Sequence, residues 1–440
     1  MIDGLLKALR SQEAAPRIQD EGKIQSHYKY WQVRIMYSTV IGYATFYFVR
    51  KNFSIANNAM SKEFGFTNTD IGLILTVATI VYGISKFLSG VLADLANPRY
   101  FMPLGLILSA IVNIVFGFSA ALPFFIVLWA LNNFFQGMGM PPCAKLLNAW
   151  FSRGQGGRAW GIWNMSHQIG GGLIILLAGF LVQHLGWRSA FYIPGIFSIL
   201  IALFLLNRLR DSPQSLGLPS VHEYANEPEI ASSTEERPST SHIFKHYILG
   251  NRALWIACIA NVFVYVVRTG FFDWGPRFLI NDRGFSTAQA SISTFVFEIT
   301  GIFGAFIAGW LSDAVFRGRR GATSAVFMIL LGLGVLGMIL IPSSNFVLLT
   351  VQLGLIGFLV YGPQVLVAVI AAENTDPRAV ATAVGMTGLF GYIGATVCQF
   401  ATGYLVDHQG WKGGLILWMS AAVIGTVLFT LIWKPLQRKA

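Results

Sequence analysis

The sequence predicts an all-α membrane protein in which twelve transmembrane helices form two pseudo-symmetric bundles of six. Composition, the number of long apolar stretches and a repeat between the two halves support this prediction. Of the 440 residues, 54% are hydrophobic and only 12% are charged, and the mean hydropathy is +0.59. A soluble globular chain carries ~25% charged residues, so this composition favours a chain that crosses a bilayer many times.

The apolar stretches have the length that a helix needs to cross the hydrocarbon layer, about 20 residues. A polar segment over 208–250 separates six of them from the other six. It is rich in Ser, Pro and charged residues, so it is predicted to form no core and to link the two bundles. The twelve predicted helices lie near 30–51, 70–95, 101–120, 122–145, 158–183, 188–207, 253–277, 287–315, 322–342, 345–371, 379–406 and 411–433.

Two phrases of the first half recur in the second half. Gly-Val-Leu-Ala-Asp at 90–94 matches Gly-Trp-Leu-Ser-Asp at 309–313, at an offset of 219 residues. The phrase over 179–188 matches the one over 403–412, at an offset of 224 residues. Parallel six-helix repeats are typical of transporters in which one half moves against the other. The predicted parts are an N-terminal segment 1–29, a first bundle 30–207, a linker 208–250, a second bundle 251–434 and a tail 435–440.

Lysine and arginine are distributed unevenly between the two sides of the predicted topology. With both termini in the cytoplasm, 21 of the 31 Lys and Arg lie in cytoplasmic segments and five in outer loops. The positive-inside rule therefore predicts a multi-pass inner-membrane protein with cytoplasmic termini. The net charge of +11 follows this topology and does not indicate a nucleic-acid partner. The five remaining cations are Arg34, Arg50, Lys51, Lys86 and Arg268.

Arg50 and Arg268 lie inside apolar stretches, 218 residues apart, at equivalent places in the two halves. An arginine at membrane depth costs at least ~3 kcal/mol, so it usually faces a cavity or a partner. Guanidinium groups match phosphate oxygens in a bidentate manner and stay charged. The pair therefore predicts a central anion site. The alternative is a structural ion pair with Asp273 or Glu298, two carboxylates in the same half as Arg268.

Several classes of function are excluded by what the sequence lacks. It contains no phosphate-binding loop for ATP, no metal-ligand spacing and no nucleophile set, so no enzyme activity, cofactor or metal is predicted. The Gly-x-G-x-x-Gly pattern at 332–337 lies in an apolar helix with no strand before it and indicates helix packing. Cys143, Cys258 and Cys398 are predicted to be apolar fillers. The first 30 residues are polar, so no cleaved signal peptide is predicted.

Two kinds of short motif recur along the chain between about residues 28 and 430. The more general one is found at Asp94 with Arg99 and at Asp313 with the arginines that follow it. The seven more specific motifs are Tyr-Phe-Val-Arg-Lys-Asn-Phe (47–53), Tyr-Gly-Ile-Ser-Lys-Phe (82–87), Gly-Met-Gly-Met-Pro-Pro-Cys (137–143), Trp-Asn-Met-Ser-His-Gln-Ile-Gly-Gly (163–171), Arg-Asp-Ser-Pro-Gln-Ser-Leu-Gly-Leu-Pro (210–219), Val-Arg-Thr-Gly-Phe-Phe-Asp-Trp (267–274) and Thr-Gly-Leu-Phe-Gly-Tyr-Ile-Gly (387–394). By the general motif the chain resembles the major facilitator superfamily, and by the seven specific ones it resembles the organophosphate:phosphate antiporter family. That family includes glycerol-3-phosphate and hexose-phosphate transporters and a hexose-phosphate sensor.

The resemblance implies roles for particular side chains. It assigns the substrate phosphate to Arg50 and Arg268, places Lys86 in the binding cavity, and makes His167 a donor to phosphate. It also implies that Lys51 pairs with Asp273 and Glu298 across the halves, as a gate that breaks when access changes; the alternative is a static pair. The further candidate substrate-binding residues are Asn164, Tyr43, Tyr47, Tyr265, Tyr361 and Tyr392.

The predicted function is exchange of an organic phosphate, hexose phosphate first, for inorganic phosphate by alternating access in a monomeric protein. Two alternatives remain open. One is a glycerol-3-phosphate antiporter, although this family branch has a tryptophan where the chain has Met140. The other is a sugar-phosphate sensor that signals through a membrane kinase, because the stretch from 99–102 to 150–153 is more similar to the sensor branch.

Overall fold

The computed structural model describes residues 14–227, 248–340, 344–376 and 379–433, and within them the secondary structure is helical. The prediction of twelve spans is confirmed. Nine helices are long and apolar enough to cross a membrane in the described part of the chain. One of these, Val380–Leu431, comprises two spans that meet at Gly410, whose φ of 69° and ψ of −175° are not helical. The spans are Glu21–Phe48 continued by Phe53–Phe64 (span 1), Asn68–Leu95 (span 2), Pro98–Phe116 (span 3), Leu122–Gln136 continued by Met140–Trp150 (span 4), Arg153–Leu185 (span 5), Ser189–Arg208 (span 6), Arg252–Asn281 (span 7), Thr287–Ala314 (span 8), Arg320–Leu340 (span 9), Phe346–Glu373 (span 10), 380–409 (span 11) and 411–431 (span 12).

Close contacts divide the chain into two compact units. The first unit contains residues up to Asn52, then Val81–Ile174, and then residues from Arg188 into the linker. The second unit contains Phe53–Ile80, Ile175–Trp187 and the second half of the chain. Parts of spans 1, 2 and 5 therefore pack with the second half of the sequence, which the division at residue 207 did not anticipate.

Span 1 is interrupted at residues 49–52, directly at Arg50. The interruption frees backbone carbonyl groups, and a spanning segment must satisfy such groups internally. Asn113 Nδ2 and Asn132 Nδ2, from spans 3 and 4, donate to the carbonyl of Val49 at 2.7 and 2.8 Å. Asn52 Nδ2 in turn donates to Asn113 Oδ1 at 3.0 Å. A buried amide network therefore stabilises the irregular backbone that presents Arg50.

Span 7 is irregular at the equivalent place. A π-helical turn, Gly270–Trp274, begins two residues after Arg268. Such turns are rare and are frequent at functional sites. Gly270 is required here, because an added Cβ would lie 2.5 Å from the indole of Trp418. Both halves thus carry an arginine at a break in regular helix geometry, a correspondence that residue spacing alone did not reveal.

The prediction that 208–250 forms no core is wrong for its first part. Pro213–Leu216 forms a short 3₁₀ turn and Val221–Tyr224 a helical turn. Tyr28 donates a hydrogen bond to the carbonyl of Pro219 at 2.6 Å and stacks on Tyr224 with ring centroids 3.9 Å apart. Among the polar residues of this segment, the apolar side chains of Leu218 and Val221 pack on the start of span 1. Part of the predicted linker, 228–247, and the predicted tail lie outside the described residues.

Span 1 also begins earlier than residue 30. Asp20 caps it by accepting a hydrogen bond from the backbone N–H of Lys23 at 3.1 Å, so the helix starts at Glu21. Tyr28, two turns further along the helix, is buried and donates its hydrogen bond to the carbonyl of Pro219. The first turns of span 1 are therefore part of the packed protein and not a free tail.

Spans 8 and 10 approach so closely that particular positions admit only glycine. A Cβ added at Gly304 would overlap with the carbonyl oxygen of Phe358, and one added at Gly357 would overlap with that of Phe297. We expect Gly304→Ala to destabilise the protein by ~1–3 kcal/mol, because backbone cannot move aside as a flexible side chain would. The measurement is the midpoint of thermal unfolding in detergent. Gly309→Ala on the same span is the matched control, since nothing lies within 4 Å of its Cβ; equal midpoints for the two variants would contradict the expectation.

Candidate functional site

The first unit surrounds Arg50 with aromatic rings. The guanidinium carbon of Arg50 lies 4.3 Å from the ring centroid of Tyr47 and 4.8 Å from that of Tyr82. Cation–π contacts of this kind hold a guanidinium without neutralising its charge. Tyr47 was predicted as a site residue, whereas Tyr82 was not. The available signal was the motif at 82–87, in which Tyr82 precedes Lys86 by one helical turn.

Spans 1 and 5 bring a second group of predicted residues together. The ring centroids of Tyr43 and Trp163 are 4.7 Å apart, and those of Tyr47 and His167 are 6.0 Å apart. His167 is half-buried and Trp163 is buried. Asn164 adjoins Trp163 in sequence, precedes His167 by three residues, and is exposed. Tyr47 therefore connects Arg50 with His167.

Lys86 is half-buried on span 2 and shares a helix face with Tyr82. Its backbone position is fixed by span 4, because a Cβ on Gly137 would lie 2.9 Å from the backbone nitrogen of Lys86. Met138 and Gly139 follow in the interruption between the two helical segments of span 4. The first half of the chain thus holds the predicted cations on two spans whose backbones are braced by neighbours.

The second unit builds a similar environment around Arg268. Its guanidinium carbon lies 5.2 Å from the ring centroid of Tyr361 and 5.7 Å from that of Tyr265. Tyr361 donates a hydrogen bond to a carboxylate oxygen of Glu298, which is fully buried. Tyr265 and Tyr392 meet edge to face at 6.1 Å. The structure therefore brings Arg268, Glu298 and all three predicted tyrosines of this half into one cluster.

Asp273 lies in the π-helical turn and is held by two residues that were not predicted. Its Oδ1 accepts a hydrogen bond from Ser54 Oγ at 3.1 Å, and its Oδ2 accepts one from Gln399 Nε2 at 2.6 Å. Gln399 Oε1 accepts a further bond from Trp274 Nε1 at 2.8 Å. Ser54 follows Lys51 by three residues, so the segment after the interruption of span 1 reaches Asp273. The pairing of Lys51 with Asp273 and Glu298 stays a prediction.

A second polar cluster joins the start of span 2 to span 11. Asp407 accepts hydrogen bonds from the backbone N–H groups of Asn68 and Thr69 at 3.0 and 2.7 Å. Arg277, which is only 5% exposed, donates to Asn68 Oδ1 at 2.6 Å and to Ser61 Oγ at 2.9 Å. The sequence contained a signal for Asp407. The repeated phrase has Gln183 at the corresponding position of the first half, so the carboxylate is a difference between two otherwise similar phrases.

We expect Asp407→Asn to lower the stability of the protein by ~1–3 kcal/mol. The carboxylate accepts four hydrogen bonds, from the backbone and side chains of Asn68 and Thr69. An amide nitrogen in place of one oxygen would face donors and accept none of them. Thermal unfolding in detergent measures the change, with the exposed neighbour His408→Gln as control. An unfolding midpoint equal to that of the control would show that this contact contributes nothing to stability.

Comparison with known proteins places the chain among transporters. The model of the Major Facilitator Superfamily matches residues 39–397. A probable hexose phosphate transport protein of Chlamydia pneumoniae is 41% identical over 433 residues, which is 96% of this chain and 95% of that protein. The membrane sensor protein UhpC of Escherichia coli is 39% identical, with coverage of 96% and 97%. The glycerol-3-phosphate transporter of Bacillus subtilis is 38% identical, with coverage of 96% and 98%.

Solved structures show the same fold at much lower sequence identity. A bacterial homologue of the human lysosomal transporter Spinster, in an inward-facing and unoccupied conformation, has a TM-score of 0.79 at 16% identity. The comparison covers 92% of this chain and 97% of that one. The agreement in architecture extends over nearly the whole chain.

Proposed function

Since the chain belongs to the Major Facilitator Superfamily, and within it to the organophosphate:phosphate antiporter branch, we propose that it exchanges hexose phosphate for inorganic phosphate. It is a transporter and not an enzyme. The observation that carries the proposal is the matched environment of Arg50 and Arg268. Each arginine lies at an irregularity of its span with tyrosine rings beside the guanidinium.

Two arginines with aromatic neighbours suit an organic phosphate. The guanidinium groups supply charge-assisted donors for phosphate oxygens, and the rings supply apolar faces with hydroxyl groups at their edges. His167 and Lys86 add further donors to the half that contains Arg50. We propose that both arginines contact one substrate phosphate, and that the tyrosines and Asn164 contact the sugar. Hexose phosphate is preferred over glycerol phosphate because Met140 departs from the pattern of the glycerol-phosphate branch.

The charge of the site gives a reason for exchange. Closing a cationic cavity in apolar surroundings without an anion leaves buried charge uncompensated, which costs several kcal/mol per ion. A bound phosphate offsets this cost. The loaded transporter therefore changes access quickly and the empty one slowly, which is the condition for antiport. A ligand accelerates the change only by the amount that it favours the occluded state over the open ones.

We expect efflux of labelled phosphate from proteoliposomes to be slow in buffer that lacks a permeant anion. Adding glucose-6-phosphate outside is expected to raise the efflux rate at least ~10-fold, since ~1.4 kcal/mol of barrier reduction suffices for that factor. Protein-free liposomes are the control for leakage. A panel with glycerol-3-phosphate and phosphoglycerate outside identifies the preferred ester. Efflux that is equally fast with and without ester would contradict obligatory exchange.

A sensor of sugar phosphate is the second candidate, because the identity of UhpC to this chain, 39%, lies between those of the hexose phosphate and glycerol-3-phosphate transporters, 41% and 38%. In that role the same arginines bind the ester, and a membrane kinase is the partner. Ester binding with no exchange above the protein-free control, together with co-purification of a kinase, would favour the sensor. We also propose a monomer in the inner membrane with both termini in the cytoplasm, as the distribution of Lys and Arg indicates.

A further inference from the structure

A groove of about 550 Å³ opens between the first turns of spans 1 and 5, within the first unit. It is separate from the residues around Arg50. Its walls are formed by both spans and by the loop between spans 4 and 5. The lining residues are Lys29, Gln32, Val33, Met36, Tyr37, Val40, Phe151, Gln155, Arg158, Ala159 and Ile162.

The floor of this groove is apolar and continues into the outer faces of both spans. Val33 is 65% exposed and Ile162 is 37% exposed. Further along the same faces, Ile41 of span 1 and Ile169 and Leu173 of span 5 are exposed as well. A spanning helix presents such a stripe to hydrocarbon. A water-filled route for a sugar phosphate would need donors for its hydroxyl groups, and the aliphatic side chains of Val33, Val40 and Ile162 offer none.

The mouth of the groove is cationic. Lys29 and Arg158 stand on its two sides, one on each span, and both are exposed. Within the described part of the chain, neither forms an ion pair. Between them Gln32 Nε2 donates to Gln155 Oε1 at 3.0 Å and to the carbonyl of Trp150 at 2.8 Å. This hydrogen-bonded pair joins spans 1 and 5 beside the two cations, with each glutamine three residues from the cation on its own span.

An apolar slot that ends at two cations fits one class of molecule. We propose that the groove binds an anionic phospholipid, with its headgroup phosphate between Lys29 and Arg158 and one acyl chain along Val33, Val40 and Ile162. Basic pockets between spanning helices bind anionic headgroups, and each nearby Lys or Arg favours binding. The bound lipid ties span 1 to span 5, the two spans that contribute Tyr47 and His167 to the transport site.

Native mass spectrometry tests this proposal without relying on transport. The purified protein is titrated with phosphatidylglycerol or phosphatidylcholine, and the dissociation constant of the first lipid bound is measured. Lys29→Gln with Arg158→Gln is expected to weaken the binding of phosphatidylglycerol about 10- to 30-fold. Lys23→Gln with Arg153→Gln removes the same charge from exposed positions at the same end, outside the groove, and is expected to leave the affinity within about 2-fold of wild type.

Two further arms separate a lipid site from a simple phosphate site. Val33→Trp fills the slot and keeps both cations, so it is expected to weaken lipid binding. Inorganic phosphate in the millimolar range is expected not to displace the lipid. The proposal is overturned if both charge pairs reduce affinity equally, if phosphatidylcholine binds as tightly as phosphatidylglycerol, if Val33→Trp binds like wild type, or if inorganic phosphate displaces the lipid. None of these outcomes depends on whether the protein exchanges phosphate.

Discussion

Replacing Arg268 by lysine is expected to reduce phosphate exchange by ~100-fold or more while the protein remains folded. Lysine keeps the charge but loses the planar fork that we propose contacts two phosphate oxygens. It also loses the guanidinium face that lies over Tyr265 and Tyr361. Arg50→Lys is expected to behave in the same way, because Arg50 lies over Tyr47 and Tyr82. A loss of ~2–3 kcal/mol in a charge-assisted bidentate contact corresponds to this factor.

Both arginines lie at or next to irregular backbone, where a substitution can also affect folding. The variants are therefore compared as purified, folded protein. The measurements are the initial rate of phosphate exchange in proteoliposomes and the unfolding midpoint in detergent. Arg252→Lys, at the exposed start of the span that contains Arg268, is the matched control and is expected to exchange at the wild-type rate. Normal exchange in either Arg50→Lys or Arg268→Lys would refute the clamp. Loss of exchange with an equal loss of folded protein would assign the arginine a structural role.

The double variant distinguishes one shared phosphate from two independent sites. If both arginines bind the same phosphate, their effects on its affinity are coupled, and the double variant differs from the product of the single effects. If each arginine serves a different group, the effects multiply.

The arginines and the twelve spans were predictable because both depend on the order of apolar residues along the chain and not on contacts between distant segments. A charge in an apolar stretch stands out without knowledge of its neighbours, and so does a run of about 20 apolar residues. The features that the sequence did not reveal depend on contacts between distant segments. Tyr82 becomes a site residue only because span 2 lies beside Arg50, a contact that its place in the motif at 82–87 does not by itself show.

The irregular backbone at residues 49–52 could not be predicted for a related reason. The sequence there has no proline or glycine, the usual causes of a break. The break is tolerated because Asn113 and Asn132 accommodate the free carbonyl of Val49 from two other spans. For the linker the error was the reverse: the sequence predicted no packed structure, and the first part of the segment is packed. Leu218 and Val221 are few among polar residues, but with Tyr28 they join a buried apolar cluster that extends through the first unit, and Tyr224 packs against it.

Removing the charge of Asp273 is expected to slow exchange by more than it weakens phosphate binding. The prediction rests on the proposed gate, in which Lys51 pairs with Asp273 and Glu298 in one state and releases them in another. Asp273 is poised for this role, because Ser54 and Gln399 hold its two oxygens at the segment that follows Lys51. Asp273→Asn and Glu298→Gln preserve side-chain size. They raise the cost of interconversion between states and leave the phosphate contacts of Arg50 and Arg268 in place.

A static bridge predicts a different pattern, in which stability falls and turnover per folded molecule stays near normal. Ser54→Ala serves as the comparison, because it removes one hydrogen bond to Asp273 and no charge. Phosphate affinity, exchange rate and unfolding midpoint are measured on the same preparations. The cycle of Lys51→Gln, Asp273→Asn and the double variant then tests the pairing itself. If the two residues form the gate, the double variant exchanges faster than the product of the single effects predicts, because the second substitution removes a charge that the first left unpaired. Multiplicative effects on exchange, with additive losses of stability, would exclude the gate and leave Asp273 as a structural acceptor for Ser54 and Gln399.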